Sequence, residues 1–207
     1  MSAGSSVSPT TLPTTSPANA PVTALANGAA TDPSAGQPAV RTAWTYLDTA
    51  VGRLLLTTDG AALTGVWFER HRDGGDDRPS AFQRAGTRDD DHPVLATARA
   101  QLEEYFARER RVFDLPLATA GTAFQRRVWT ALLDIPYGVT ASYGDIARRL
   151  GLPLTASRAV GLANGSNPIS IIVPCHRVIG ADGSLTGYGG GLDRKRYLLD
   201  LERDLLF

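Results

Sequence analysis

The sequence predicts an α+β protein in two parts: a small sheet-and-helix part over residues 41–118 and a mainly helical part over 119–207. Three observations carry that expectation. Short β-prone runs crowd residues 44–69, with an Asp59-Gly60 hairpin signal between two of them. Pro93 to Arg108 places Val94, Leu95, Ala98, Leu102 and Phe106 at helical spacing. From Thr122 onward, helical segments bounded by Gly and Pro follow one another. The chain has 207 residues, 43% of them hydrophobic, enough for a genuine core.

Charge and composition narrow the function classes. The chain carries 21 basic and 21 acidic residues, which excludes a protein held to nucleic acid by bulk charge alone. Residues 41–118 hold 11 basic and 13 acidic side chains, and residues 119–207 hold 10 and 7, so an anionic partner should prefer the second half. Of the basic residues, Lys195 is the single lysine, which reads as a compositional habit. One cysteine excludes an intramolecular disulfide framework, and one cysteine with three histidines argues against a Cys-rich zinc site, so no metal is expected. No run of 18 apolar residues exists, so no membrane span is expected.

Taken in order, residues 1–40 are rich in Ser, Thr, Pro, Ala and Gly, with Asp32 their only charge and no aromatic. They read as a disordered tail and not as a secretory or transit signal. Trp44–Asp48, Gly52–Thr57 and Ala62–Glu69 read as strands, residues 71–92 as a mobile polar loop, and Phe113–Leu115 as one more short strand. Nothing in this part suggests chemistry. Thr122–Asp134 is a helix stopped by Ile135-Pro136-Tyr137-Gly138. Ser142-Tyr143-Gly144-Asp145 has capping-box spacing before IARRLG. Gly151 and Pro153 end that helix. Thr155 is placed to cap the next, ASRAVGLAN, which Gly165 closes. The pair makes a helix-turn-helix. Ile169–Val173 is an apolar run long enough for a buried strand, ended by Pro174.

The chemistry concentrates after that run, in Pro174-Cys175-His176-Arg177-Val178-Ile179. A lone cysteine is commonly an inert buried residue. Here a histidine and an arginine adjoin it, and such neighbours stabilise a thiolate or take its proton. Adjacent residues on an extended chain point apart, so a bridging water between thiol and imidazole is expected. A cysteine hydrolase would need the same pair.

PCHRVIG, preceded by Asn167-Pro168 and followed by GYGGG, resembles the O6-alkylguanine-DNA alkyltransferase family over roughly residues 42–207. The resemblance implies a ribonuclease-H-like, three-layer N-terminal α/β domain with a supporting role, packed on a winged-helix-like C-terminal domain. It implies a cytoplasmic, nucleoid-associated monomer that needs no cofactor. Such a protein flips an alkylated guanine, or less efficiently an O4-alkylthymine, out of duplex DNA and moves the alkyl group irreversibly to Cys175. By the same resemblance Glu202, His176 and Cys175 form a proton relay, Tyr143 donates to ring nitrogen 3, and Asn167 ties recognition helix to cysteine segment. The carbonyls of Cys175 and Val178 accept from the exocyclic amine, the Gly189 N–H faces oxygen 6, and Tyr188 lines the pocket. Arg158 matches the finger that fills the gap in the base stack, while Ala156, Ser157, Ala159 and Gly161 let the helix approach the minor groove closely. Two departures stand out: the turn GLPLTAS is one residue longer than the family form, and Ser157 stands where Ala is usual. The alternative is a lesion sensor that flips the base without transfer and recruits excision repair. Relatives of that kind carry Trp at the cysteine position, which Cys175 argues against. A sequence-reading helix-turn-helix regulator would instead require a symmetric dimer.

Overall fold

Strand formation in the first half follows from β-branched, aromatic and leucine side chains between turn residues. The structure, a computed structural model, describes residues 26–27, 42–68 and 86–203. Of the segment read as a tail, only β1 (Ala26–Asn27) falls among these; the rest, and residues 71–85 of the polar loop, lie outside them. Strands β2 (Ala43–Leu47), β3 (Leu54–Thr58) and β4 (Leu63–Phe68) form an antiparallel meander. The β3–β4 hairpin turns where expected. Gly60 takes a left-handed φ of 99°, and the Asp59 carboxylate accepts from the N–H groups of Ala61 and Ala62. Central β3 is buried throughout, and Leu54, Leu55 and Leu56 are fully removed from solvent, at roughly 1.5–3 kcal/mol each.

The end of the polar loop is more ordered than its composition suggests. β5 (Thr87–Arg88) adds to β2 in parallel, giving the order β4-β3-β2-β5. The Trp44 indole N–H donates to the Gly86 carbonyl, and the Thr45 hydroxyl donates to Asp90. These bonds fix a segment that has little apolar surface of its own.

Helix α1 (Pro93–Phe106) starts on Pro93 and buries Leu95, Ala98, Leu102 and Tyr105 against the sheet. Both faces of central β3 are buried, so this helix covers one face of the sheet and other parts of the chain cover the second. Phe113–Leu115 forms no strand. Its alternation is real, since Phe113 and Leu115 are buried. But the Asp114 backbone pairs with the Gln101 side chain, whose amide donates to its carbonyl at 2.8 Å and accepts from its N–H at 2.8 Å. The carboxamide stands in for a neighbouring strand. β6 (Ala118–Thr119) follows and pairs with β1.

In the second half, α2 (Ala123–Leu133) opens on a Thr122–Gln125 capping box and buries Val128, Trp129 and Leu132. β7 (Ala141–Ser142) leads into α3 (Tyr143–Arg149). A 3-10 turn (Leu154–Ala156) then delivers α4 (Ser157–Gly165). Thr155 lies inside that turn and caps nothing. The Trp129 indole donates to the Ala163 carbonyl at 2.8 Å and clamps α2 to α4.

Ile169–Val173 is buried but is not a strand. Ile171 adopts a left-handed φ of 73°, and Cys175–Arg177 is a 3-10 turn. β8 (Val178–Ile179) pairs in parallel with β7, and α5 (Leu192–Glu202) completes the described chain. No described helix is long and apolar enough to cross a membrane.

The outer edge of β4 joins the two halves. Val66 N–H donates to the Pro168 carbonyl and Ser170 N–H donates to the Val66 carbonyl across the halves, while Leu63 N–H donates to the Pro116 carbonyl within the first. An otherwise open sheet edge is thus covered by the segment leading to Cys175. We predict that Ser142→Ala lowers stability by about 1 kcal/mol, read by urea unfolding. It removes the hydroxyl that accepts from Asp145 N–H and breaks the α3 capping box.

Candidate active site

Cys175 heads a tight turn, not a strand end, and is 4% exposed. Asn167 shapes its approach. The Asn167 carboxamide nitrogen lies 2.8 Å from the Val173 carbonyl and 3.1 Å from Cys175 Sγ, and its oxygen accepts from Ile169 N–H. One side chain therefore satisfies the irregular backbone of 169–173 and donates to the sulfur. Asn164, from α4, donates to the Cys175 carbonyl at 3.4 Å. Burial pushes the Cys175 thiol above its ordinary value, against the opposing pull of Asn167 and of the Lys195 charge. The resting group is a neutral thiol that needs a base.

His176 is that candidate base. It is fully buried, and burial holds its imidazole below the usual range despite the Glu202 carboxylate. Nε2 lies 2.8 Å from Glu202 Oε1, which assigns the proton to Nε2 and leaves Nδ1 as the acceptor. Nδ1 has no partner among the described residues, and no side-chain bond joins His176 to Cys175 there. The imidazole is turned onto Glu202 through Nε2.

Glu202 is 1% exposed and accepts five hydrogen bonds. His176 Nε2, the Tyr105 hydroxyl (2.8 Å) and Arg177 Nη2 (2.9 Å) reach Oε1; Arg177 Nε (2.8 Å) and Gly138 N–H (3.2 Å) reach Oε2. Burial raises the carboxyl, but the bonds and charges of His176 and Arg177 outweigh it, so the group stays well below the ordinary carboxylate range. Arg177 is steadied by the Ile135 carbonyl and by the Tyr137 ring, 5.8 Å from its guanidinium carbon.

The opposite wall comes from residues 186–190 and the start of α3. Tyr143 is the first residue of α3, half-buried, with its hydroxyl donating to the Thr186 carbonyl at 3.1 Å. Burial raises its phenol, so it is a neutral donor at physiological pH. Lys195 is fully buried and donates to the carbonyls of Val178 (2.5 Å) and Thr186 (2.8 Å), tying β8 to this wall. Burial lowers its ammonium to about 8. Tyr188 is buried, with its hydroxyl unpartnered among the described residues, and its ring meets Phe68 of β4 edge-on at 5.9 Å. A Cβ on Gly190 would lie 2.6 Å from the Phe68 ring, so only glycine permits this approach. Gly189 is partly exposed between them.

At the start of α4, Arg158 and Ala159 are exposed and Ser157 and Gly161 are half-buried, as is Ala156 at the end of the preceding turn, with Gly161 over the Tyr143 ring. The Ser157 hydroxyl donates back to the Leu154 carbonyl. Exposed Leu154 and Leu162 share this part of the surface. No group of three or more metal-binding side chains occurs among the described residues.

Cys175, His176, Glu202, Asn167, Val178, Tyr143 and Tyr188 thus surround one centre, with Arg158 outside on the helix surface. Three contributors escaped the sequence reading. Lys195 stands out in the sequence as the single lysine among arginines, but nothing in its neighbours marks it as buried. Tyr105 and Phe68 looked like ordinary core positions, and only the packing of the two halves turns them toward the site.

A buried thiol with a histidine–carboxylate pair, seated behind a helix-turn-helix, defines a nucleophilic-cysteine protein of the DNA-binding class. Two family descriptions match the chain: the ribonuclease-like domain of 6-O-methylguanine DNA methyltransferase over residues 42–119, and its DNA-binding domain over 123–204. The chain belongs to the 6-O-methylguanine DNA methyltransferase family. The methylated-DNA–protein-cysteine methyltransferase of Mycolicibacterium paratuberculosis is 51% identical over 162 residues, covering 76% of this chain and 90% of that protein. The Haemophilus influenzae protein of the same name is 45% identical over 77% and 86%. Among solved structures, the Mycobacterium tuberculosis O6-methylguanine methyltransferase superposes with a TM-score of 0.69 at 49% identity, over 78% of this chain and 92% of that one. The Mycobacterium tuberculosis protein solved in complex with DNA gives 0.67, also at 49%, over 77% and 92%.

The site predicts acid sensitivity. Glu202 is held below its unfolded value, so its contribution is complete above that value and is lost as pH falls toward the folded one. His176 is also held below its unfolded value, so the unfolded chain takes up its proton first as pH drops. Both terms have one sign: stability should fall from about pH 6.5 downward. Chemical denaturation at a series of pH values checks this, and Glu202→Gln should flatten the lower part of the curve.

Proposed function

We propose that the protein repairs DNA by a single irreversible transfer of an alkyl group, typically methyl, from O6 of guanine in duplex DNA to Cys175. O4-alkylthymine is the poorer substrate. The observation that carries this reading is the neutral, buried Cys175 thiol beside an imidazole whose Nδ1 is unengaged and whose Nε2 is locked onto Glu202.

The step balances simply. The thiol proton passes to His176 Nδ1, by way of water, and Glu202 stabilises the resulting imidazolium. The thiolate attacks the alkyl carbon, an S–C bond forms, and the C–O bond breaks with its electrons leaving on the guanine. Tyr143 turns its hydroxyl from Thr186 to ring nitrogen 3 and supplies the proton or hydrogen bond that the departing anion needs. The carbonyls of Cys175 and Val178 receive the exocyclic amine, Gly189 N–H meets oxygen 6, and Tyr188 walls the pocket. Asn167 keeps the sulfur aimed. The thioether has no leaving group to expel, so each molecule acts once.

Access to the base requires flipping. Arg158 lies exposed at the start of α4 with small neighbours Ala156, Ser157, Ala159 and Gly161, which suits close approach in the minor groove and occupation of the gap. The modest charge of the second half suits a monomer that reads damage and not sequence. The non-transferring sensor finds no favouring observation, because the nucleophile and its relay are both present.

Incubation with a duplex carrying one O6-methylguanine should add a single methyl, about 14 Da by its chemistry, to the Cys175 peptide and stop at one equivalent. Cys175→Ala should retain lesion binding and lose transfer, and residual transfer in it would overturn the assignment. Arg158→Ala should slow repair of the duplex by about tenfold or more while sparing reaction with the free base O6-benzylguanine. Equal losses on both would remove Arg158 from the flipping role.

A further inference from the structure

We propose that Tyr105, from the helix of the N-terminal half, is a positioning residue for the transfer: by sharing Glu202 Oε1 with His176, its hydroxyl sets how firmly the carboxylate supports the imidazole. The inference rests on the relay just described and extends it to a part of the chain otherwise assigned to support.

The geometry singles out this hydroxyl among the five donors on Glu202. Arg177 is a charged partner held bidentately, Gly138 contributes backbone, and His176 is the relay itself. Tyr105 is the neutral side-chain donor that stands outside the relay, and it alone comes from the first half of the chain, 97 residues away. Core packing does not require its oxygen. The ring is fully buried and held by Phe106, Phe113 and Tyr137 at centroid distances of 5.4, 5.6 and 6.2 Å, contacts a phenylalanine would keep. A hydroxyl at the end of such a ring is costly to bury unless it has a partner, and its partner is the oxygen that also accepts from His176 Nε2–H.

Three donors on one carboxylate oxygen compete for the same charge. Each makes the oxygen a weaker acceptor for the others. Removing the Tyr105 hydroxyl leaves more of that charge for Nε2–H, which favours the imidazolium. The carboxylate does not swing away, because Arg177 and Gly138 still hold Oε2. Burial keeps the Tyr105 phenol well above its ordinary value, so it donates throughout the working range. The other groups that bear on the pair are Arg177 and Lys195, acting on His176, and Arg177 and Tyr137, acting on Tyr105; Tyr188 faces both Cys175 and Glu202, with Arg194 beside it. Lys195 titrates near 8 and so bears on the alkaline limb, which leaves the acid limb to His176.

The test is the single-turnover transfer rate of Tyr105→Phe and wild type from pH 4.5 upward. The acid limb should move to higher pH by about half a unit to one unit in the variant, a fraction of one hydrogen bond to a charged group, because the loss is felt at His176 only through Glu202. A limb that stays in place overturns the proposal, even if the maximal rate or the melting temperature falls, because that is the signature of packing alone. In a Glu202→Gln background the same substitution should give no shift; an equal shift there also overturns it. A second measurement needs no transfer. The imidazole resonances of His176 should titrate at higher pH in Tyr105→Phe, and coincident titrations would refute the role. Absence of transfer by wild type, by contrast, would defeat the repair reading and is seen before any variant is compared.

Discussion

One buried carboxylate organises this molecule. Glu202 lies at the end of the last described helix, and its two oxygens collect donors from α1, from the turn at Gly138 and from the Cys175–Arg177 turn. An ionised group so far from water is tolerable only when every lone pair is met. That requirement brings three distant segments to one point. The imidazole then has a fixed tautomer, and the thiol has a defined proton acceptor. The reactive turn can be irregular because its polar groups are answered by Asn167 and Glu202 and not by a ladder of strands.

The relation between burial and reactivity follows from that arrangement. Burial keeps the Cys175 thiol protonated and therefore quiet toward adventitious electrophiles. The same burial keeps His176 neutral and able to accept. In the proposed transfer the proton moves between them, and the ion pair so formed has the Glu202 carboxylate against the imidazole and the Lys195 charge acting on the sulfur. A protein used once has reason to hold its nucleophile this way, because every unproductive alkylation removes a molecule.

Much of this was legible in the residues. Periodic spacing located α1, Ser142 with Asp145 announced α3, and the helix-turn-helix followed from Gly151 and the segment after it. Pro174-Cys175-His176-Arg177 marked the centre. What was not legible depended on long-range partners. Ile169–Val173 has the composition of a strand, but the Asn167 side chain meets its carbonyls in place of a neighbouring backbone. Phe113–Leu115 alternates like a strand, yet the Gln101 carboxamide takes the pairing. Tyr105 has the spacing of any core residue, and its hydroxyl acquires meaning only from a carboxylate 97 residues later. Lys195 was visible as an exception, but composition has no means of saying that the exception is buried.

The covered edge of β4 has one more consequence. Val66 exchanges hydrogen bonds with Pro168 and Ser170, Phe68 lies against Tyr188 and Gly190, and Tyr105 reaches Glu202. Parting the two halves would at once strand a strand edge, an aromatic face and a phenol, and would loosen the wall and the floor of the cysteine centre. The nucleophile is therefore armed only in the fully assembled chain. Packing the two halves together and completing the cysteine centre are thus a single structural requirement.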